Sequence, residues 1–339
     1  MGTRGLRQWG KFLTVAAVAI ASLGTAGLAQ SAGYQQTNLV SDQAGVATFT
    51  DPLLVNSWGV IVRSANLLEV ANAETGTSTF YHPDGSPAPS AAKPLVVVIP
   101  GAEDGGEPTG LVSNTTSDFV ISQGGRSASA SVLFASEDGT ISGWNPAVNQ
   151  TEAVIVVNNS DAEAVYKGLA IGSNGAANFL FAANFRGAVV EIYDGGFHFV
   201  RSFTDAKLPA GFAPFNIRNI GGRLYVMFAK QDPENTEEDL PGPGNGFVDV
   251  FDTAGTLVRR LISGGPLNSP WGLALAPATF GQFSNALLVG NFGDGWINAF
   301  VARNGAFLGS LRNVKGAPIA IDGLWGLDFL GSDLYFAAG

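Results

Sequence analysis

The stretch NSPWGLALAP, Asn268 to Pro277, decides the fold because it does not stand alone. Asn56 to Val62 reads NSWGVIV and Gly323 to Phe329 reads GLWGLDF. Three of the six Trp in the chain therefore stand directly before a Gly that opens an apolar run. The same place in the pattern recurs as Thr109-Gly110-Leu111, Lys167-Gly168-Leu169 and Phe215-Asn216-Ile217. The spacing is about fifty residues throughout, and a fixed period of that size marks a repeat architecture.

A second apolar segment of strand length follows each of these: LLEVAN (67–72), SVLFAS (131–136), NFLFAAN (178–184), RLYVMFAK (223–230), NALLVGN (285–291) and DLYFAAG (333–339). A third begins at a Gly and becomes aromatic five residues on, as in Gly76 and Tyr81, Gly139 and Trp144, Gly246 and Phe251, or Gly295 and Phe300. After a turn such as HPDG (82–85) or ARNG (302–305), a fourth closes the unit: LVVVI, AVIVV, HFVRSF, LVRRLI and AFLGSL. Four short strands repeated in this way are the blades of a β-propeller. The reading is an all-β, six-bladed β-propeller. Its last blade is incomplete, so the chain reads as C-terminally truncated, and residues 34–42 supply an outer strand that closes the ring. No long segment with helical periodicity appears, which argues against a βαβ fold.

The chain has 339 residues, 45 of them Gly and 17 Pro, which suits a turn-rich single domain. It has no Cys, so disulfides, thiolate metal sites and Cys nucleophiles are excluded. At the N-terminus Arg4, Arg7 and Lys11 precede the apolar Phe12 to Leu23, with Gly27 and Ala29 placed for a cut after Ala29. Residues 1–29 thus read as a signal peptide and residues 30–339 as the propeller domain. Its removal would leave 15 of the 18 basic residues and all 28 acidic ones, a net charge of −13. An acidic chain without a basic cluster is a poor partner for nucleic acid or anionic lipid. The expectation is an exported monomer in the periplasm, the medium or the cell surface, with an extracellular small molecule, polymer or protein as partner and no membrane contact after cleavage.

The segments NLVSDQAGVATFTDPLLVNSWGV, NTTSDFVISQGG, FASEDGTISGWNP and PGNGFVDVFDTAGTLV resemble an uncharacterised family of secreted bacterial β-propellers often found in PEP-CTERM-bearing bacteria. More loosely, the blades are similar to NHL repeats. The resemblance spans residues 34–339 and implies fold and export, but no catalytic residues.

In a propeller the loops entering first strands and the loops leaving second strands share one face with the channel mouth. Candidate ligand-binding residues on that face are Asn56, Asn72, Asn184, Asn216, Asn268 and Asn291, with Asp239 from the acidic insertion AKQDPENTEEDLPGPGNG (229–246). Asn oxygens and carboxylates suit a hard cation, so Ca²⁺ is the cofactor to consider, with Asp322, Asn216 and Asn268 as ligands. Asn at strand ends also commonly ties its own turn. His82 falls at a turn and His198 in an outer strand, which leaves no His for a catalytic triad. The functional expectation is a binding or interaction module using the channel face, with a Ca²⁺-dependent lactonase- or esterase-like hydrolase as the alternative.

Overall fold

The structure, a computed structural model, describes residues 33–103 and 105–339, together with the backbone of the strand Val18–Ser22. The rest of the expected signal segment, with the cut after Ala29, lies outside the described residues. The protein is an all-β propeller. Its inner strands are Ser57–Ser64, Pro108–Ser113, Tyr166–Ser173, Phe212–Ile220, Pro270–Leu275 and Leu324–Leu330. Each packs on the next around the axis, and the last returns to the first. Apolar cores lie between neighbouring sheets. Phe181 and Ile192 of one sheet meet Val226 and Phe251 of the next, and Met227 and Val248 meet Leu273 and Leu287.

The expectation of six blades, the last of them incomplete, is corrected to five. Five blades are each made from one continuous segment of chain. The sheet beside them is a composite of both chain ends: Leu324–Leu330 and Asp333–Ala338 pair with Val18–Ser22, and Tyr34–Asn38 forms its outer edge. Residues 34–38 thus take the outer place expected of them, while the third place, expected to be vacant, holds a strand from the N-terminal end. The two insertions are also ordered. Val120–Gln123 and Arg126–Ser129 form a hairpin packed through Phe119 and Ile121 on the outside of blades two and three. In blade four the strand Arg223–Asp232 runs on to pair with Asn235–Asp239 at the channel face.

All six inner strands carry a β-bulge at the same step, beside the recurring Gly. A bulge adds one residue and re-aims side chains. The Gly then faces the backbone of the neighbouring inner strand. A Cβ on Gly59 would stand 2.8 Å from Thr109 O, on Gly110 2.7 Å from Gly168 Cα, and on Gly168 3.0 Å from Asn216 Cα. On Gly272 it would stand 2.5 Å from Trp325 O, and on Gly326 2.7 Å from Trp58 O. Blade four lacks the Gly, and there Asn216 bridges the gap: its Nδ2 donates to Trp271 O at 2.9 Å. The requirement is close approach, since none of these Gly has a positive φ.

This geometry makes a graded prediction. Gly110→Val pushes two inner strands apart and should cost about 2–4 kcal/mol, read as a fall in chemical-denaturation midpoint. Gly105→Ala, where nothing lies within 4 Å of the added Cβ, should change stability by less than about 0.5 kcal/mol.

Candidate functional site at the axial mouth

The residue before each Gly is the one the bulge turns toward the axis. Trp58, Trp271 and Trp325 meet one another at the axis. Trp58 stacks on Trp325 with centroids 3.5 Å apart, and Trp271 stands edge-on to both at 6.0 and 5.8 Å. Phe215 joins at 5.7 Å from Trp325, and Phe292 stacks on the same ring at 3.9 Å. Phe185 lies 5.0 Å from Phe215. The axis is thereby filled with aromatic rings, all three indoles being almost wholly buried. Trp58 Nε1 donates to Asn56 Oδ1 at 3.1 Å and Trp271 Nε1 to Lys167 O at 3.2 Å, so both indole donors are satisfied inside the plug.

In blade three the residue at this position is a lysine. Lys167 is 1% exposed, with Nζ 5.0 Å from the Trp58 ring centre and 5.8 Å from that of Phe185. Its ammonium pairs with Glu137. Burial alone would push the Lys167 pKa down, but Glu137, Glu238 and Asp239 together raise it above the ordinary lysine range. The lysine is therefore a fixed cation rather than a nucleophilic amine. Burial raises the pKa of Glu238 and Asp239, against the pull of Lys167, and for Asp239 against that of Ser269 as well.

Backbone bonds repeated around the ring build this face. The residue after each second strand, or in blade four Gln231 near its end, donates to the segment before the first: Ala73 N to Asn56 O, Glu137 N to Glu107 O, Phe185 N to Val165 O, Gln231 N to Gly211 O, Phe292 N to Ser269 O and Gly339 N to Gly323 O. Glu137 thus takes, in blade two, the place that Phe185 and Phe292 hold in blades three and five. The blade-four hairpin leans over blade three, where Gln231 Nε2 donates to Phe185 O at 2.8 Å. Arg186 ties Glu237 and Glu163, each at 2.6 Å, on the rim.

The sequence-derived Asn candidates are each engaged in hydrogen bonds within the fold. Asn72 accepts from Ser57 Oγ and donates to Thr77 and Thr79, wholly buried. Asn184 Oδ1 accepts from the amides of Val165 and Gly187, and its Nδ2 donates to Glu191. Asn291 donates to Pro266 O and Asp294. These three tie their own blades. Asn56 holds Trp58, and Asn216 crosses to Trp271 O. Asn268 accepts from Gly242 N at 2.6 Å and donates to Asp294, fastening the blade-four insertion. Of the expected metal ligands, Asn216 and Asn268 are engaged in this way and Asp322 is exposed. Among the described residues no three His, Asp or Glu side chains come together as a metal set. Of the candidates, only Asp239 belongs to the cluster around Lys167. Lys167 and Glu137 escaped the sequence reading, although a lysine in the Trp-Gly position was the available signal.

No family model matches the chain. It is similar to an uncharacterised protein of Acanthamoeba polyphaga mimivirus, with 36% identity over 313 residues, 88% of this chain and 75% of that one. A second protein of the same virus is 35% identical over 320 residues, 91% of this chain and 82% of that one. The chain belongs to the family of these mimivirus proteins. Those relatives overturn the expected location as an exported bacterial protein, and the expected PEP-CTERM-associated bacterial family finds no support. Among solved structures, a catalytically inactive virginiamycin B lyase from Staphylococcus aureus with quinupristin has a TM-score of 0.54, 10% identity and 96% coverage of each chain. The WD40 propeller domain of Doa1 has a TM-score of 0.51, 12% identity, and coverage of 96% of this chain and 84% of that one. At these identities the likeness is one of fold.

A second charged cluster lies off the axis, in blade four. Asp249 is wholly buried, with Arg260 Nε 3.4 Å away and Asp205, paired with the same guanidinium, within hydrogen-bonding reach of it. Burial, opposed by Arg260 and reinforced by Asp205, pushes the Asp249 pKa up to about 7. Burial acts on Asp205 in the same direction, but the Lys207 amide and Arg260 bring it net below the ordinary range. Asp249 therefore stabilises the fold while protonated, and that stabilisation is lost as pH rises from about 4 through about 7. Asp249→Asn should flatten this part of the stability profile, a difference on the order of 2–4 kcal/mol between pH 5 and 8 in denaturant titrations.

Proposed function

We propose that the protein is a binding module that uses the acidic channel-mouth face, on a ring whose composite sheet serves as the sixth place around the axis. The observation that supports it is the gathering of Glu137, Glu238 and Asp239 over a sealed aromatic axis with one buried lysine among them. Three carboxylates against one ammonium leave this face short of positive charge, and Glu234 and Asp294 extend the acidity outward. Such a surface favours a cationic partner and disfavours an anionic one. With the axis filled, a ligand meets the mouth rather than passing along a channel. The hydrolase alternative draws no support from the placement of Asp322, Asn216 and Asn268.

The reading is tested by binding to immobilised poly-L-lysine and poly-L-glutamate at low and high salt. Binding to the basic polymer alone, weakened by salt, is expected. Replacing Glu234, Glu237 and Glu238 together by Gln should weaken it about tenfold or more. Replacing Asp84, Asp194 and Asp252 by Asn removes the same charge from turns on the opposite face and should leave it within about twofold. Equal losses from both triple variants would refute the mouth as the binding face.

A further inference from the structure

We propose that the third place of the composite sheet is a strand-exchange interface, which a second copy of this chain fills with its own Val18–Ser22. In the five continuous blades the third strand comes from the same segment of chain as the second. In the composite sheet it comes from the opposite end of the chain and pairs on both sides. Val18 to Ser22 lie opposite Asn38 to Tyr34, and Val18 to Ile20 opposite Phe336 to Leu334. Both walls are held without it. Tyr34 N donates to Arg312 O at 2.8 Å, its hydroxyl donates to Phe280 O at 3.0 Å, and its ring stacks on Phe280 with centroids 4.7 Å apart. On the other side Asp333–Ala338 pairs with Leu324–Leu330, Leu334 and Phe336 are buried among Leu324 and Leu327, and the Tyr335 hydroxyl donates to Pro83 O at 3.1 Å. The place keeps its shape whichever chain fills it. Left empty, it would present two facing rows of unpaired backbone groups.

The occupant follows from the connection. Val18–Ser22 and Tyr34–Asn38 are antiparallel neighbours with Ser22 opposite Tyr34, a reversal for which about two to five residues suffice. Residues 23–33, LGTAGLAQSAG, put eleven between them, three of which are Gly. Fully extended, a connection of that length reaches about 36–40 Å, enough to deliver the strand to a neighbouring molecule. Exchange remakes in the pair every backbone bond made within one chain, from the same sequence in the same register, so the two forms differ in the connection alone. An unrelated strand would have to match this register on both flanks at once, which a second copy does by identity. A short connection gives the chain's own strand an effective concentration on the order of millimolar. A dilute chain therefore closes itself, and a reciprocal two-fold pair forms as the chain concentration approaches that value. The strand lies inside the segment that the sequence reads as a signal peptide, so the interface belongs to the chain that keeps residues 1–29.

The test uses the full chain, which has no Cys of its own. Ala19 and Thr37 lie opposite one another in register. With Ala19→Cys and Thr37→Cys together, a dilute chain should form a disulfide within itself. With the two substitutions on separate chains, mixed at about millimolar concentration and then oxidised, a disulfide-linked pair of chains should form. Its yield should exceed by about fivefold or more that obtained when Thr37→Cys is replaced by Ala254→Cys, on an exposed turn of blade four. An excess of a synthetic peptide of residues 16–24 should suppress the link between chains. The same peptide carrying Ile20→Pro, which breaks the ladder, should not. If Thr37→Cys disturbs the outer strand, Ala21→Cys with Gln35→Cys supplies a second facing pair. Links between chains no more frequent than with Ala254→Cys, a yield that does not rise with concentration, or a link that the wild-type peptide leaves unchanged would each overturn the interface. Failure of both double variants to link within a chain would remove the strand from its place and the proposal with it.

Discussion

Around the axis the inner strands lie so close together that the residue facing the neighbouring strand has no room for a side chain. Gly59, Gly110, Gly168, Gly272 and Gly326 meet this limit by having none, and Asn216 meets it by turning its amide into a cross-strand hydrogen bond. The bulge beside each of these positions inserts one residue, and the extra side chain is turned inward. Close approach, bulge and inward side chain are one device repeated around the ring. Because three of the inward residues are Trp and one is Phe, the centre becomes a packed aromatic core instead of a water-filled passage.

Sealing the centre moves the chemistry to the mouth. A buried Lys167 would be expensive without compensation. Glu137 supplies a direct partner, and the hairpin of blade four brings Glu238 and Asp239 over it. The hairpin is itself fixed by neutral and charged contacts, through Gln231 to Phe185 O, Asn268 to Gly242 N and Arg186 to Glu237. At the other end of the axis Arg218 donates to Leu273 O and Leu327 O while pairing with Asp328, and Asp328 accepts from Val62 N. That end is cross-linked within the ring, whereas the mouth is left with carboxylates in excess.

The blades were legible because each strand's length and its order within the period are set by local pattern. LLEVAN, NFLFAAN and RLYVMFAK all appear as second strands, the last two residues longer than expected because it continues into the insertion. The composite sheet was only half legible. The outer strand from residues 34–38 follows from its position, but a third strand from Val18–Ser22 depends on pairing between distant ends, which no local pattern announces. The role of the strand-end Asn residues was legible in kind, as turn-fastening amides, but their partners were not. Lys167 was missed for a physical reason. In sequence it is one charged residue in an apolar run, and only the bulge, together with a carboxylate thirty residues earlier, gives it its place. The inward turn of the three Trp was hidden similarly, since the direction of a side chain at a bulge is not set by strand alternation.

The central claim, a sealed aromatic axis, is tested most directly by amide and indole hydrogen exchange in solution. The Nε1–H groups of Trp58 and Trp271 are inside the plug and bonded to Asn56 Oδ1 and Lys167 O. Both indole protons should exchange only as fast as the most protected backbone amides of the inner strands, that is, through unfolding of the ring. Exchange within minutes, while those amides remain protected, would show a hydrated channel and contradict the account.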